Sequence, residues 1–118
     1  MRVFLSLPMT GRSENEVRAD IQKMIAYGRD VLGLVDADYI HNYDCPELEN
    51  KEQYFACAER ANTLHLLGNA IKVMGSCNLV LFKGGYGMRN SKGCEIEFYI
   101  CREYDIPNID IPDDYWEK

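Results

Sequence analysis

LVLFKGGYGMRNSKGCEIE, residues 79–97, is the stretch whose reading decides the fold. Leu79, Val80, Leu81 and Phe82 are apolar at every position, the pattern of a strand buried on both faces of a parallel sheet. A glycine-rich run from Lys83 to Asn90 follows. Asn90 or Ser91 is then placed to cap a helix that continues to about Tyr104. Pro107 to Ile111 gives a last short strand before an acidic tail containing Trp116.

Upstream the same grammar repeats. Met1 to Ser6 reads as a nearly all-apolar strand, with Val3, Phe4 and Leu5 at its centre. Pro8 and Gly11 make a turn, and Ser13 with Glu16 forms a capping box. Val17, Ile21, Met24, Ile25 and Leu32 keep helical spacing until Gly33 ends the helix. Leu34 and Val35 start a second strand. Asp36 to Asn50 is a long, polar, acidic loop suited to a lid or a partner-facing segment. Asn50 and Gln53 resemble another capping pair, opening a helical stretch to about Ser76 that Gly68 is expected to divide. This alternation predicts a three-layer, doubly wound α/β domain over residues 1–118, flavodoxin-like or Rossmann-like, with a parallel sheet of four or five strands flanked by helices. With the first and third strands as central neighbours, the site lies at the carboxyl edge between residues 7–13 and 83–93.

Composition narrows the partners. The 118 residues carry 13 Lys and Arg against 19 Asp and Glu, a net charge of −6, the wrong sign for gripping nucleic-acid polymers or anionic membranes. The apolar run Val3 to Leu7 is far too short for a signal-peptide core or a membrane span, so a cytoplasmic protein is expected. Five cysteines, at 45, 57, 77, 94 and 101, form no C-x-x-C or Cys/His pattern; reduced thiols are expected, with no metal and no cofactor.

One helical residue stands out. At about 100° per residue, Gly93, Ile96, Glu97, Ile100, Cys101 and Tyr104 share a stripe, and Glu97 is the one carboxylate on it. An inward carboxylate must be paired, protonated or functional, and this one sits a turn inside the helix start, beside the crevice. The alternative is a structural, hydrogen-bonded glutamate at the stripe's border. The crevice is also locally basic: Lys83, Arg89 and Lys92 lie on one loop and Arg12 on the other. With hydroxyls at Thr10, Ser13 and Ser91 and backbone N–H groups at two helix starts, this suits a small anion such as a nucleotide phosphate.

These residues resemble the nucleoside 2-deoxyribosyltransferase-like superfamily, in particular its small bacterial and phage-associated branch. The likeness rests on Val3 to Gly11 (VFLSLPMTG), Ser76 to Phe82 (SCNLVLF), and Arg89 to Glu97 (RNSKGCEIE) followed by Pro107, in the family order and over most of the chain. The resemblance implies cleavage of the N-glycosidic bond of a nucleoside or nucleotide, with Glu97 as catalytic nucleophile forming a glycosyl-enzyme that a second base or water resolves. It implies a substrate crevice built from Pro8, Met9, Thr10, Gly11, Asn78, Gly84, Tyr86, Arg89, Asn90, Ser91 and Gly93, and a homodimer or larger homo-oligomer. The family's orienting tyrosine and two aspartates correspond to Phe4, Asn78 and Ser91. Ser91 is compatible with a phosphate-binding variant, and the loss of both acids leaves a binding or sensing module as the alternative.

Other residues carry weaker signals. Cys94 lies in a first helical turn beside Lys92, a setting that can activate a thiol, although packing is the expectation. His65 is expected in the core or an interface, and His41 in a solvated loop. Tyr39, Tyr43, Tyr54 and Tyr86 are available to stack on a base. Phe98, Tyr99, Tyr115 and Trp116 suggest an aromatic interface between copies.

Overall fold

The computed structural model describes residues 1–84 and 91–117. Four strands, β1 (Arg2–Ser6), β2 (Asp38–Ile40), β3 (Leu79–Phe82) and β4 (Asn108–Asp110), form one sheet in the order β2-β1-β3-β4. Every pairing is parallel. The strand order reverses between β1 and β3, the two central strands, so the doubly wound, flavodoxin-like arrangement holds with four strands.

Alternation along the strands builds two apolar layers. Val3, Leu5, Leu7, Leu81 and Ile111 pack against Val17, Ile21, Met24 and Tyr27 of α1 (Glu14–Asp30), with the short C-terminal helix α4 (Asp113–Trp116) beside them. Phe4, Val80 and Phe82 face the other way, onto Ala70 and Met74 of α2 (Ala58–Met74) and Cys101 of α3 (Lys92–Glu103). The caps are local. Ser13 Oγ accepts from the Glu16 amide at 3.2 Å and donates to its carboxylate at 3.0 Å. Ser91 Oγ accepts from the Cys94 amide at 3.2 Å, so Ser91 starts α3.

Five expectations are corrected. The second strand is Asp38–Ile40, not Leu34–Val35: Gly33 turns left-handed at φ +73° and the Leu34 N–H donates back to the Gly28 carbonyl at 2.9 Å, which spends this segment on closing α1. Gly68 does not divide the following helix. Its missing Cβ faces open space, and the change of geometry falls earlier, where a 3₁₀ helix (Lys51–Cys57) gives way to α2. Asn50 has φ +54°, and its carbonyl, rather than its side chain, accepts from Gln53 N–H at 3.0 Å.

On α3 the buried stripe is Cys94, Glu97 and Cys101, with Phe98 edge-on to Phe82 at 5.7 Å. Ile96 and Tyr104 are exposed, because the helix is turned to bring Phe98 onto the sheet. Finally, the aromatic tail folds back. Trp116 Nε1 donates to the Lys83 carbonyl at 2.9 Å and Tyr115 OH to the Lys23 carbonyl at 2.8 Å. Of the four aromatics read as an interface, Tyr99 alone is exposed.

Candidate functional site at the carboxyl edge

Ser6 and Phe82 are register partners and end their strands together, and the Lys83 N–H donates to the Ser6 carbonyl at 2.9 Å. The crevice opens above this pair. Ser6 follows the alternation of Phe4, so its side chain projects toward α3, where Glu97 descends from the second turn. Ser6 Oγ donates to Glu97 Oε2 at 3.4 Å, with both residues buried. Burial pushes the Glu97 carboxyl up to about 7, against the opposing pull of the Ser6 hydrogen bond. Near neutrality it is therefore divided between carboxylate and acid.

Around this pair the sequence gathers further polar groups. The Cys94 thiol lies within hydrogen-bonding reach of the Ser91 and Ser6 hydroxyls. Burial pushes the thiol up, the opposite of what an attacking thiolate needs, and Cys94 therefore serves as packing. Gly93 stands in the first turn of α3, where a Cβ would lie in ordinary contact with Ser91 Oγ at 3.9 Å. Gly84 is buried at φ +84°, where a Cβ would collide with the backbone of Ile111; glycine is required there. Tyr86, Arg89 and Asn90 lie outside the described residues.

The facing loop is a tight turn in which Arg12 N–H donates to the Met9 carbonyl at 3.2 Å and Arg12 Nη1 to the Pro8 carbonyl at 2.9 Å. Thr10 and Gly11 form its exposed tip, with Gly11 at φ +75°. The basic rim is more structured than its sequence suggests. Asp20 of α1 bonds both Arg12 Nη2, at 2.6 Å, and Lys83 Nζ, at 2.8 Å, joining the two loops of the crevice. Burial acts to raise the Asp20 carboxyl, but the hydrogen bonds from Lys83 and Arg12 outweigh it and hold it below the ordinary carboxylate range. The triad carries a net single positive charge. Lys83 also lies 5.0 Å over the Trp116 ring.

Not every residue expected at the site is there. Asn78 stands at the amino edge, where its Oδ1 accepts from the Arg2 N–H at 2.7 Å. The length of β3 separates it from the crevice, about 13 Å at strand rise. Phe4 is sealed in the α2–α3 layer. Tyr39 donates to the Leu34 carbonyl at 2.7 Å, and Tyr43 lies under Arg18, so both are spent on packing.

The 36–50 loop is tied down instead of standing free as a lid. Arg18 pairs with Asp44 at 2.7 Å, Asn42 Nδ2 donates to the Leu66 carbonyl at 2.8 Å, and the Leu48 N–H donates to Asn62 Oδ1 at 2.8 Å. His65 is exposed, against the Pro46 carbonyl at 3.2 Å, and not in the core. A cleft of about 390 Å³ beside it, lined in part by Glu47 and Glu49, is acidic and does not include Glu97.

Two useful groups escaped the sequence reading, and a third, His41, is less solvated than that reading expects. Asp20 sits at the border of the stripe formed by Val17, Ile21 and Met24, so the test that selected Glu97 selects it too. Ser6 breaks an apolar strand at the position facing Glu97. His41, immediately after β2, is half-buried; its Nδ1 accepts from the Tyr43 N–H at 3.2 Å, which leaves the proton on Nε2, and burial lowers its affinity for a second one. Among the described residues no group of three His, Cys, Asp or Glu side chains is arranged to hold a metal, and no helix is long and apolar enough to cross a membrane. Comparison with family models, curated proteins and solved structures finds no match to the chain.

Proposed function

We propose that this protein cleaves the N-glycosidic bond of a small nucleoside or nucleotide, with Glu97 as the nucleophile. The observation that carries the reading is a buried carboxylate with a hydroxyl donor and, among the described residues, no cation bound to it, at the strand-order reversal where doubly wound sheets bind their ligands. In the first step a Glu97 carboxylate oxygen attacks C1′. The C1′–N bond breaks, its electron pair leaves with the base, and the base takes up a proton from a donor in the crevice or from water. The resulting glycosyl ester is opened by water, or by the nitrogen of a second base, which restores the carboxylate. The net positive rim of Arg12, Lys83 and Asp20 favours a substrate with a single phosphate.

The test is incubation with deoxynucleosides, ribonucleosides and their 5′-monophosphates, with and without an acceptor base, beside a Glu97→Gln control. Base release by the wild type alone supports the reading. Equal release by Glu97→Gln would refute it.

A second reading, a nucleotide-binding module without turnover, draws support from the serine and the distant asparagine where the resembling family carries acids. It expects saturable binding of the same ligands with no base released. In either reading we infer a homo-oligomer formed through α2 and α3, whose outer faces expose Leu64, Ile96 and Tyr99.

A further inference from the structure

We propose that Ser6 is the positioning residue of Glu97, holding one carboxylate oxygen so that the other is presented to the crevice; the proposal rests on the reading of Glu97 as nucleophile. The backbone fixes the pairing before any side chain is considered. Ser6 is the last residue of β1 and is in register with Phe82. Its neighbours Leu5 and Leu7 belong to the α1 layer, and alternation turns Ser6 toward α3.

The burial of both partners makes the contact reciprocal. Ser6 is 1% exposed and Glu97 7%, so burial strips both side chains of most of their hydration. A hydroxyl at the end of a strand reading Val3, Phe4, Leu5 is costly unless it finds an acceptor, and a buried carboxylate is costly unless it finds a donor. Each is the other's solution, at 3.4 Å.

The surroundings leave the role to Ser6. From its own helix Glu97 is faced by the Cys94 and Cys101 thiols, both shifted toward protonation by burial first and by the Glu97 charge second. The buried residues that β1, β3 and α2 contribute to the hydrophobic cluster of this layer are Phe4, Val80, Phe82, Ala70 and Met74. Lys83 acts on Cys94 but is bound to Asp20 and makes no ion pair with Glu97. Among the described residues Ser6 alone donates to the carboxylate.

The experiment compares wild type, Ser6→Ala and Ser6→Thr in two assays. The first follows the Glu97 carboxyl carbon by NMR against pH, in protein labelled at glutamate and assigned with Glu97→Gln. The second follows base release against pH. Ser6→Ala is expected to move the Glu97 titration about one pH unit toward alkali and Ser6→Thr to restore it. Base release at pH 7 then falls about five-fold from lost ionisation, and a loss that persists at pH 9 measures positioning.

An unmoved titration in Ser6→Ala overturns the proposal whatever the rates do. A moved titration with base release that falls and is rescued by threonine supports it. A moved, rescued titration in a protein whose wild type releases no base supports the Ser6–Glu97 pairing and overturns the nucleophile reading.

Discussion

Replacing Glu97 with glutamine is expected to stabilise the protein in alkali and not in acid. The carboxyl titrates near 7 in the folded chain, against an ordinary value of 4.5. Its folded-state affinity for a proton is raised, so the folded state binds more protons than the unfolded state between those values, and stability falls as pH rises through that window. The full difference of about 2.5 pH units corresponds to roughly 3.4 kcal/mol, lost once the carboxylate is ionised in both states. Between pH 5 and pH 8.5 the part that changes is about 2.5 kcal/mol. Glutamine keeps the shape and can accept from Ser6 but never ionises. Urea unfolding of both proteins at pH 5 and pH 8.5 reads the effect as a difference of differences, in which the titrating groups that do not interact with Glu97 cancel. With a slope of about 1.5 kcal/mol/M, the midpoint of Glu97→Gln should gain about 1.5 to 2 M on the wild type between the two conditions. A difference that does not depend on pH, or one that favours glutamate in alkali, would refute the view that Glu97 is held against its preferred ionisation.

Asp20→Asn should cost about 1 to 2 kcal/mol at neutral pH, because it leaves Arg12 and Lys83 without their shared anion. The Asp20 carboxyl is depressed, so its contribution is present above the ordinary carboxylate range and lost as pH falls through the folded value; the two proteins should converge in acid unfolding. Gly84→Ala should destabilise by roughly 2 to 3 kcal/mol in the same unfolding assay, since φ is +84° and the added Cβ meets the Ile111 backbone. Ser91→Ala removes the cap of α3 and should cost about 1 kcal/mol; an unchanged midpoint would argue against the cap. Leu64→Glu should convert an oligomer to monomer in sedimentation without loss of helical signal, and a wild type that is monomeric at high concentration would exclude the interface.

What could be read from sequence follows from how many faces an element buries. β1 and β3 are covered on both sides, and their unbroken apolar runs announce them. The burial of Glu97 was legible because helical spacing puts that carboxylate on the same stripe as Cys101. β2 was not, since it is a three-residue edge strand whose Asp38 is exposed, and the more hydrophobic Leu34–Val35 next to it was spent on a turn. The place of Trp116 depends on a carbonyl 33 residues away, and an acidic tail gives no local hint of that bond. Asn78 shows the converse error: its place in a resembling motif suggested the crevice, while the register of β1 and β3 assigns it to the opposite edge.

The contrast between two carboxylates, Asp20 and Glu97, supports the role proposed for Glu97. Asp20 and Glu97 are carried by helices on opposite faces of the sheet, and both reach toward its carboxyl edge. One is given two cations and held ionised; the other is given a single hydroxyl and pushed toward its acid. Lys83 is close enough to act on Cys94, one turn from Glu97, yet it is committed to Asp20 and the Trp116 ring. If stability alone had shaped this edge, glutamine or an apolar residue at position 97 would remove the cost worked out above, and a serine in β1 would have no acceptor to need. Titratable groups that contrasting environments hold in different protonation states are an arrangement found where acid–base and nucleophilic chemistry is done. Proteins hold such local costs where the side chain does something a better-packed one cannot.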